Sequence, residues 1–143
     1  MDERASRDIT SAAAPEPVGP YPHAKRAGSF LILSGMGPRR RGKSQIPGVS
    51  LTDDGQIASY DFEAQCHAVF ENVRSVLEEA GAPWDSIVDV TAFLTDISRD
   101  FATFNRLYAE YFTSNRPART TVEVNRLPTP IAIELKVIAW VPE

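Results

Sequence analysis

Arg116-Pro117-Ala118-Arg119-Thr120-Thr121-Val122-Glu123-Val124-Asn125-Arg126-Leu127-Pro128, with Ile131 to Val141 behind it, reads as a short strand, a proline-punctuated turn and a long strand. Val122 and Val124 alternate with Thr121 and Glu123, the two-residue period of a half-buried strand. Pro128 and Pro130 stop the ladder because neither has a backbone N–H to donate. Beyond them Ile131, Ile133, Leu135, Val137, Ala139 and Val141 share one face, and Ala132, Glu134, Lys136, Ile138 and Trp140 share the other. Arg119, Thr121 and Glu123 likewise lie opposite Thr120, Val122 and Val124. The polar residues of both strands are expected on one side of a sheet, and the candidate site is placed there.

Working outward, Phe62, Cys66, Val69, Phe70, Val73, Val76, Leu77 and Ala80 recur at i, i+3, i+4 and i+7, which predicts a helix over 61–80. Asp61 and Glu63 suit its N-terminal dipole end, and Gly81 a helix stop. Residues 87–95 alternate as a strand, with Val88, Val90, Ala92 and Leu94 on one face and Asp89, Thr91 and Phe93 on the other. Ser98 is the expected N-cap of a second helix, whose apolar stripe is Phe101, Phe104, Leu107, Tyr108 and Tyr111. Near the start, 22–26 and 29–35 read as strands joined at Ala27-Gly28. The glycine- and proline-rich stretch 36–60 is a long loop, with a short strand around 46–49. Residues 1–17, rich in Ala, Ser, Pro and charge, are expected to be a flexible tail, leaving 18–143 as one domain.

The order β-β, loop, α, β, α, β-β predicts an α+β two-layer sandwich, a mostly antiparallel sheet with both helices on one face. The other face would carry Phe93, Ile138 and Trp140 beside Arg119, Thr121 and Glu134. Left bare it is a large apolar patch, which symmetric self-association covers.

At 143 residues and net charge −4 the chain has the size of one domain and no charge footprint for nucleic acid. The only dense basic run, Arg39-Arg40-Arg41-Gly42-Lys43, reads by itself as a solvated loop. No apolar run approaches the roughly 20 residues that span a bilayer. The first residues lack the apolar core of a secretory signal, so the expected compartment is the cytoplasm. One cysteine, Cys66, falls on the helical stripe and reads as a small buried hydrophobe. The two histidines, His23 and His67, have no metal-ligand spacing, and no zinc-deaminase pattern is present.

Arg119-Thr-Thr-Val-Glu-Val, Arg126-Leu-Pro and Ile133-Glu134-Leu resemble the C-terminal signature of the reactive-intermediate deaminases (RidA/YjgF-like). Gly19-Pro20-Tyr21 and Phe30-Leu-Ile-Leu-Ser-Gly35 resemble the N-terminal signatures of the same family, in the right order. Tyr21-Pro22-His23-Ala-Lys25-Arg26-Ala-Gly28 and Ser34-Gly35-Met-Gly-Pro-Arg39-Arg40 are similar to the branch that deaminates 2-aminomuconate. The resemblance implies a chorismate-mutase-like fold, a trimer or hexamer with active sites between subunits, and deamination without metal or cofactor. Its substrate would be a small enamine or imine acid.

On that reading Arg119 holds the substrate carboxylate through its planar fork, and Glu134 moves protons and positions water. Tyr21 and Phe93 wall the pocket, the Thr121 hydroxyl fixes water, and Gly35 lets the Ser34-Gly35 backbone approach the ligand. Asn105 holds the carboxylate or a neighbouring loop. A second carboxylate calls for a second cation, for which Arg39 and Arg40, with His23 on the paired strand, are candidates. Thr121 stands where relatives carry cysteine, so no role here depends on a thiol. Taken alone, Arg119 and Glu134 read first as a cross-strand ion pair, and Arg126 as a structural salt bridge. Three functions stay open: 2-aminomuconate deaminase forming 4-oxalocrotonate, a general deaminase of 2-iminobutanoate and 2-iminopropanoate, and a non-catalytic ligand-binding trimer.

Overall fold

The computed structural model describes residues 6–142. Eight strands and two α-helices follow in the order β1 (Ser6–Ile9), β2 (Ala24–Ala27), β3 (Phe30–Leu33), β4 (Val49–Leu51), β5 (Ile57–Tyr60), α1 (Phe62–Glu79), β6 (Ile87–Leu94), α2 (Ile97–Tyr111), β7 (Ala118–Glu123) and β8 (Ile133–Trp140). Six strands form one sheet in the order β1-β2-β3-β8-β6-β7; β4 and β5 make a separate hairpin. All pairs in the large sheet are antiparallel except β6 with β7, which α2 connects as a crossover.

Two-residue alternation on β8 buries Ile133, Leu135, Val137 and Ala139 under the helices. The stripe of α1 meets them through Cys66, Val69, Phe70, Val73, Val76 and Leu77, each no more than 1% exposed. Asp61 caps α1 by accepting from the Ala64 N–H at 3.2 Å. β2 and β3 pair from Ala27 opposite Phe30, so Gly28 and Ser29 form the turn, and Gly28 takes the positive φ of 59° that it requires.

Several expectations are corrected. Residues 6–17 are not a tail: β1 pairs with β2, and Ser11, Ala14 and Pro15 are buried. That segment is held by backbone pairing and side-chain clamps, which composition does not reveal. The expected tail over 1–5 lies outside the described residues. The loop after Gly35 contains the β4–β5 hairpin, whose strands are too short to announce themselves by period. Val88 is exposed because the ladder is irregular between Ile87 and Asp89, which turns it out of the buried face. α2 starts two residues earlier than expected, capped by Asp96, whose carboxylate accepts from the Arg99 N–H at 3.0 Å. On α2 the core takes Asp100 rather than Phe101; the carboxylate accepts from the Tyr60 hydroxyl at 2.6 Å, while Phe101 is exposed. Burial holds the Asp100 carboxyl above its ordinary range.

The largest correction concerns β7. Its register sets Arg119 opposite Val90 and Thr121 opposite Ala92, both on the helix side, and Val122 opposite Phe93 on the open side. Glu134 is also opposite Phe93. Arg119 and Thr121 therefore lie on the other face of the sheet from Glu134, and the two strands do not present their polar residues together. The open face still exposes Phe30, Val122 and Trp140.

Candidate active site

Around Glu134 lies a cleft of about 140 Å³, lined by Val18, Tyr21, Gly35, Gly37, Arg39, Pro128, Thr129 and Ile131. β8 delivers the glutamate half-buried at the rim, and burial raises its carboxyl above the ordinary range. Reciprocal hydrogen bonds between the backbones of Met36 and Leu135, 2.8 and 2.9 Å, hold the Gly35 segment against it. A Cβ at Gly35 would lie 2.6 Å from Glu134 Oε2, so a side chain there would displace the carboxylate. Asn72 on α1 reaches across to donate to the carbonyls of Gly37 and Arg39, each at 2.8 Å, which fixes the loop leaving this edge.

Tyr21, 41% exposed, stands at the mouth of the cleft with its hydroxyl accepting from the Val18 N–H at 3.3 Å. Ser34 does not present its hydroxyl to the cleft; Oγ donates to the Pro22 carbonyl at 2.7 Å and so ties the two hairpin strands. His23 is 3% exposed, with Nδ1 accepting from the Ser11 N–H and Nε2 donating to the Pro15 carbonyl, so the structure gives it an internal task and not a substrate contact. Arg40 turns away to Glu71 on α1 at 2.6 Å, whereas Arg39 lines the cleft. Phe93 sits half-buried opposite Glu134.

A second constellation lies on the helix side of β7. The Arg119 guanidinium stands over the rings of Tyr108, Phe104 and Phe101, at 4.7, 5.1 and 5.8 Å from their centroids, and donates to Asn105 Oδ1 at 2.8 Å. Three rings and an amide thus orient one planar cation. Burial raises the Tyr108 hydroxyl while the Arg119 charge pulls it back. The Thr121 hydroxyl, on the same face, is enclosed and makes no hydrogen bond among the described residues. Asn105 therefore holds the arginine, a task different from the carboxylate or loop contact expected of it. No ion pair joins Arg119 to Glu134, and none involves Arg126 among the described residues; Arg126 lines an open groove of about 800 Å³ beside Asn125 and Thr129.

Sequence reasoning missed Asn72, Gly37 and the ring set around Arg119. Asn72 carried a usable signal, a polar residue flanking a stripe that is otherwise apolar. The rings read only as the core stripe of α2, and nothing in their spacing names the cation they surround. No group of three or more His, Cys, Asp or Glu able to hold a metal ion occurs among the described residues. No helix among them is long and apolar enough to cross a membrane.

Two helices over a six-stranded, mostly antiparallel sheet define a chorismate-mutase-like α+β protein. Residues 11–141 match the family Ribonuc_L-PSP, described as Endoribonuclease L-PSP, and the chain belongs to that family, which takes in the RutC and RidA proteins. It is 40% identical to a RutC family protein of Pyrococcus abyssi over 95% of this chain and 98% of that one. It is 34% identical to Reactive Intermediate Deaminase A, chloroplastic, of Arabidopsis thaliana, over 92% of this chain and 64% of that protein. Among solved structures it is similar to the YjgF gene product of E. coli, with TM-score 0.80 and 34% identity over 94% and 98% of the two chains. It is likewise similar to E. coli TdcF with bound serine, with TM-score 0.80 and 31% identity over the same shares.

Proposed function

We propose that this protein hydrolyses a small enamine or imine acid to the 2-oxo acid and ammonia, at a site assembled from two copies of the chain. The observation that carries the reading is the Glu134 carboxyl, raised by burial and pressed against the side-chain-free Gly35 in a cleft of about 140 Å³. A carboxyl that burial makes hold its proton more firmly can deliver that proton to an enamine carbon and, once ionised, take one from water. Water oxygen attacks the imine carbon as Glu134 accepts its proton. Glu134 passes that proton to nitrogen to give the carbinolamine. It then takes the hydroxyl proton and hands it to the amine as the C–O double bond forms and the C–N bond breaks, so that ammonia leaves the 2-oxo acid. Every step is proton transfer and addition within reach of one carboxylate, and the Tyr21 hydroxyl supplies a hydrogen bond at the cleft mouth.

The substrate carboxylate needs a fixed cation, and Arg119, held by three rings and Asn105, suits that task. It lies on the other sheet face from Glu134 of its own chain, so a second copy must bring it to the cleft. The exposed Phe30, Val122 and Trp140 are the surface on which copies would pack, as a trimer or a multiple of three. The decisive experiment mixes two inactive variants. Arg119→Ala and Glu134→Gln, unfolded together and refolded, should regain a substantial fraction of activity, because some clefts then receive one intact residue from each chain. Activity that stays absent after verified subunit exchange would rule out the shared site.

For the substrate, a dicarboxylic enamine of the 2-aminomuconate kind is favoured by Arg39, which lines the Glu134 cleft while donating from one nitrogen to the Glu16 carbonyl; Arg40, paired with Glu71 and outside the cleft lining, drops out of that role. Arg39→Gln should lower kcat/KM for the dicarboxylic enamine about ten- to a hundredfold, the loss of one charge-assisted hydrogen bond of roughly 1.5–3 kcal/mol. The monocarboxylic enamine derived from serine should react as before. Equal rates for both substrates would favour the general deaminase, a second reading supported by the bound serine in the TdcF relative. The family description as an endoribonuclease finds less support in this chain: its net charge is −4, and Arg40 and Arg41 of the basic loop are engaged by Glu71 and Glu16.

A further inference from the structure

The basic loop Arg39-Arg40-Arg41 reads from sequence as a solvated surface, yet each of its three arginines is bonded to another part of the chain. Arg41 donates from Nε to the Ala14 carbonyl at 2.7 Å, from Nη2 to the Ser11 carbonyl at 3.2 Å, and from Nη1 to the Glu16 carboxylate at 3.3 Å. Arg39 donates to the Glu16 carbonyl at 2.6 Å. From the opposite side His23 accepts the Ser11 N–H at 3.0 Å and donates to the Pro15 carbonyl at 2.7 Å. The Ser11 hydroxyl closes the turn by accepting from the N–H groups of Ala13 and Ala14.

Residues 11–16 contain no large apolar side chain, and only Ser11, Ala14 and Pro15 among them are buried. Hydrophobic burial of so few small groups anchors little, so side-chain donors decide where the segment lies. Two residues after Glu16 the chain reaches Val18, whose N–H binds the Tyr21 hydroxyl, and both Val18 and Tyr21 face the Glu134 cleft. Displacing 11–16 therefore moves a wall of the cleft.

We propose that residues 11–18 are a latched strap that positions Val18 and Tyr21 as one wall of the Glu134 cleft, and that Arg41 is its latch. Arg41 touches no cleft residue directly; it is a positioning residue acting through Tyr21. The effect on turnover rests on the deaminase reading above, while the latch itself does not.

The test uses the full chain with Arg41→Met, which keeps the aliphatic stem and removes the fork, and Arg41→Lys, which keeps only the charge. Amide hydrogen exchange should accelerate at least tenfold over 11–21, including Val18 and Tyr21, while α1 and β8 keep their protection. Arg41→Lys should recover little of it, since one ammonium cannot serve three acceptors spread over Ser11, Ala14 and Glu16. Imine hydrolysis should lose kcat on the order of ten- to a hundredfold, the penalty of misplacing a site group by about 1 Å, with KM changed less. Combined with Tyr21→Phe the two losses should not add, because one acts through the other. Unchanged exchange at Val18 and Tyr21 in Arg41→Met would overturn the latch, and fully additive kcat losses would overturn its action through Tyr21. Loss of protection in α1 and β8 together with the strap would assign Arg41 to global stability instead. A wild-type chain without imine hydrolysis would remove the deaminase reading, and exchange at Val18 and Tyr21 would still decide the latch.

Discussion

Arg119→Ala is expected to lower kcat/KM for imine hydrolysis by roughly two to four orders of magnitude. The figure follows from losing two charge-assisted hydrogen bonds to the substrate carboxylate, each worth about 1.5–3 kcal/mol. The residue is committed in advance to that geometry: Tyr108, Phe104 and Phe101 flank its plane, and Asn105 takes one N–H. A guanidinium so held loses little freedom on binding, which is where preorganised charge gains over a mobile one. Arg119→Lys should not restore the rate, because an ammonium neither forks nor stacks as a plane. Asn105→Ala should be milder and show mainly in KM, since the rings still enclose the cation. Circular dichroism and sedimentation of Arg119→Ala should match the parent. Turnover within a few-fold of the parent would place the arginine among packing residues of α2 and β7.

Glu134→Gln is the second large effect, with kcat expected to fall about 10²- to 10⁴-fold while substrate affinity changes less. Its pH dependence separates a proton carrier from a merely polar wall. Burial raises the Glu134 carboxyl, so the acid limb of the parent kcat/KM profile should lie above the ordinary carboxylate range, and the substitution should flatten it. Stability should move in the opposite direction to activity. A carboxyl whose folded value is raised binds its proton more tightly when folded, so the folded state loses stability as pH rises from the ordinary value through the raised one. Glu134→Gln, which removes the buried charge, should therefore raise Tm at neutral pH, and the gain should disappear at pH below the ordinary carboxylate range. A thermal melt series across that window checks the sign. An unaltered acid limb would assign the proton transfer to another group.

The sequence by itself determined the elements whose side chains repeat with one period. Phe62 to Leu77 recur at helical spacing and Ile133 to Ala139 alternate without a break, so α1 and β8 follow from local pattern alone. Ile87 to Leu94 follow the same rule except at Val88, where a ladder irregularity overrides alternation. The signatures around Tyr21, Gly35, Arg119 and Glu134 named the family, and the chorismate-mutase-like fold came with it. Only the tertiary structure decided how those signatures meet. Alternation says that Arg119 and Thr121 share a face, but not which face, since that is set by the register of β7 on β6, and a one-residue slip reverses it. That register sends Arg119 to the rings of α2 and leaves Glu134 to the cleft on the open side. The N-terminal segment shows the same limit. Its burial comes from Arg41, Arg39 and His23, donors and acceptors far along the chain from the Ser11–Glu16 groups they hold, and a stretch of alanine, serine and proline carries no local trace of partners that arrive only when the chain has folded.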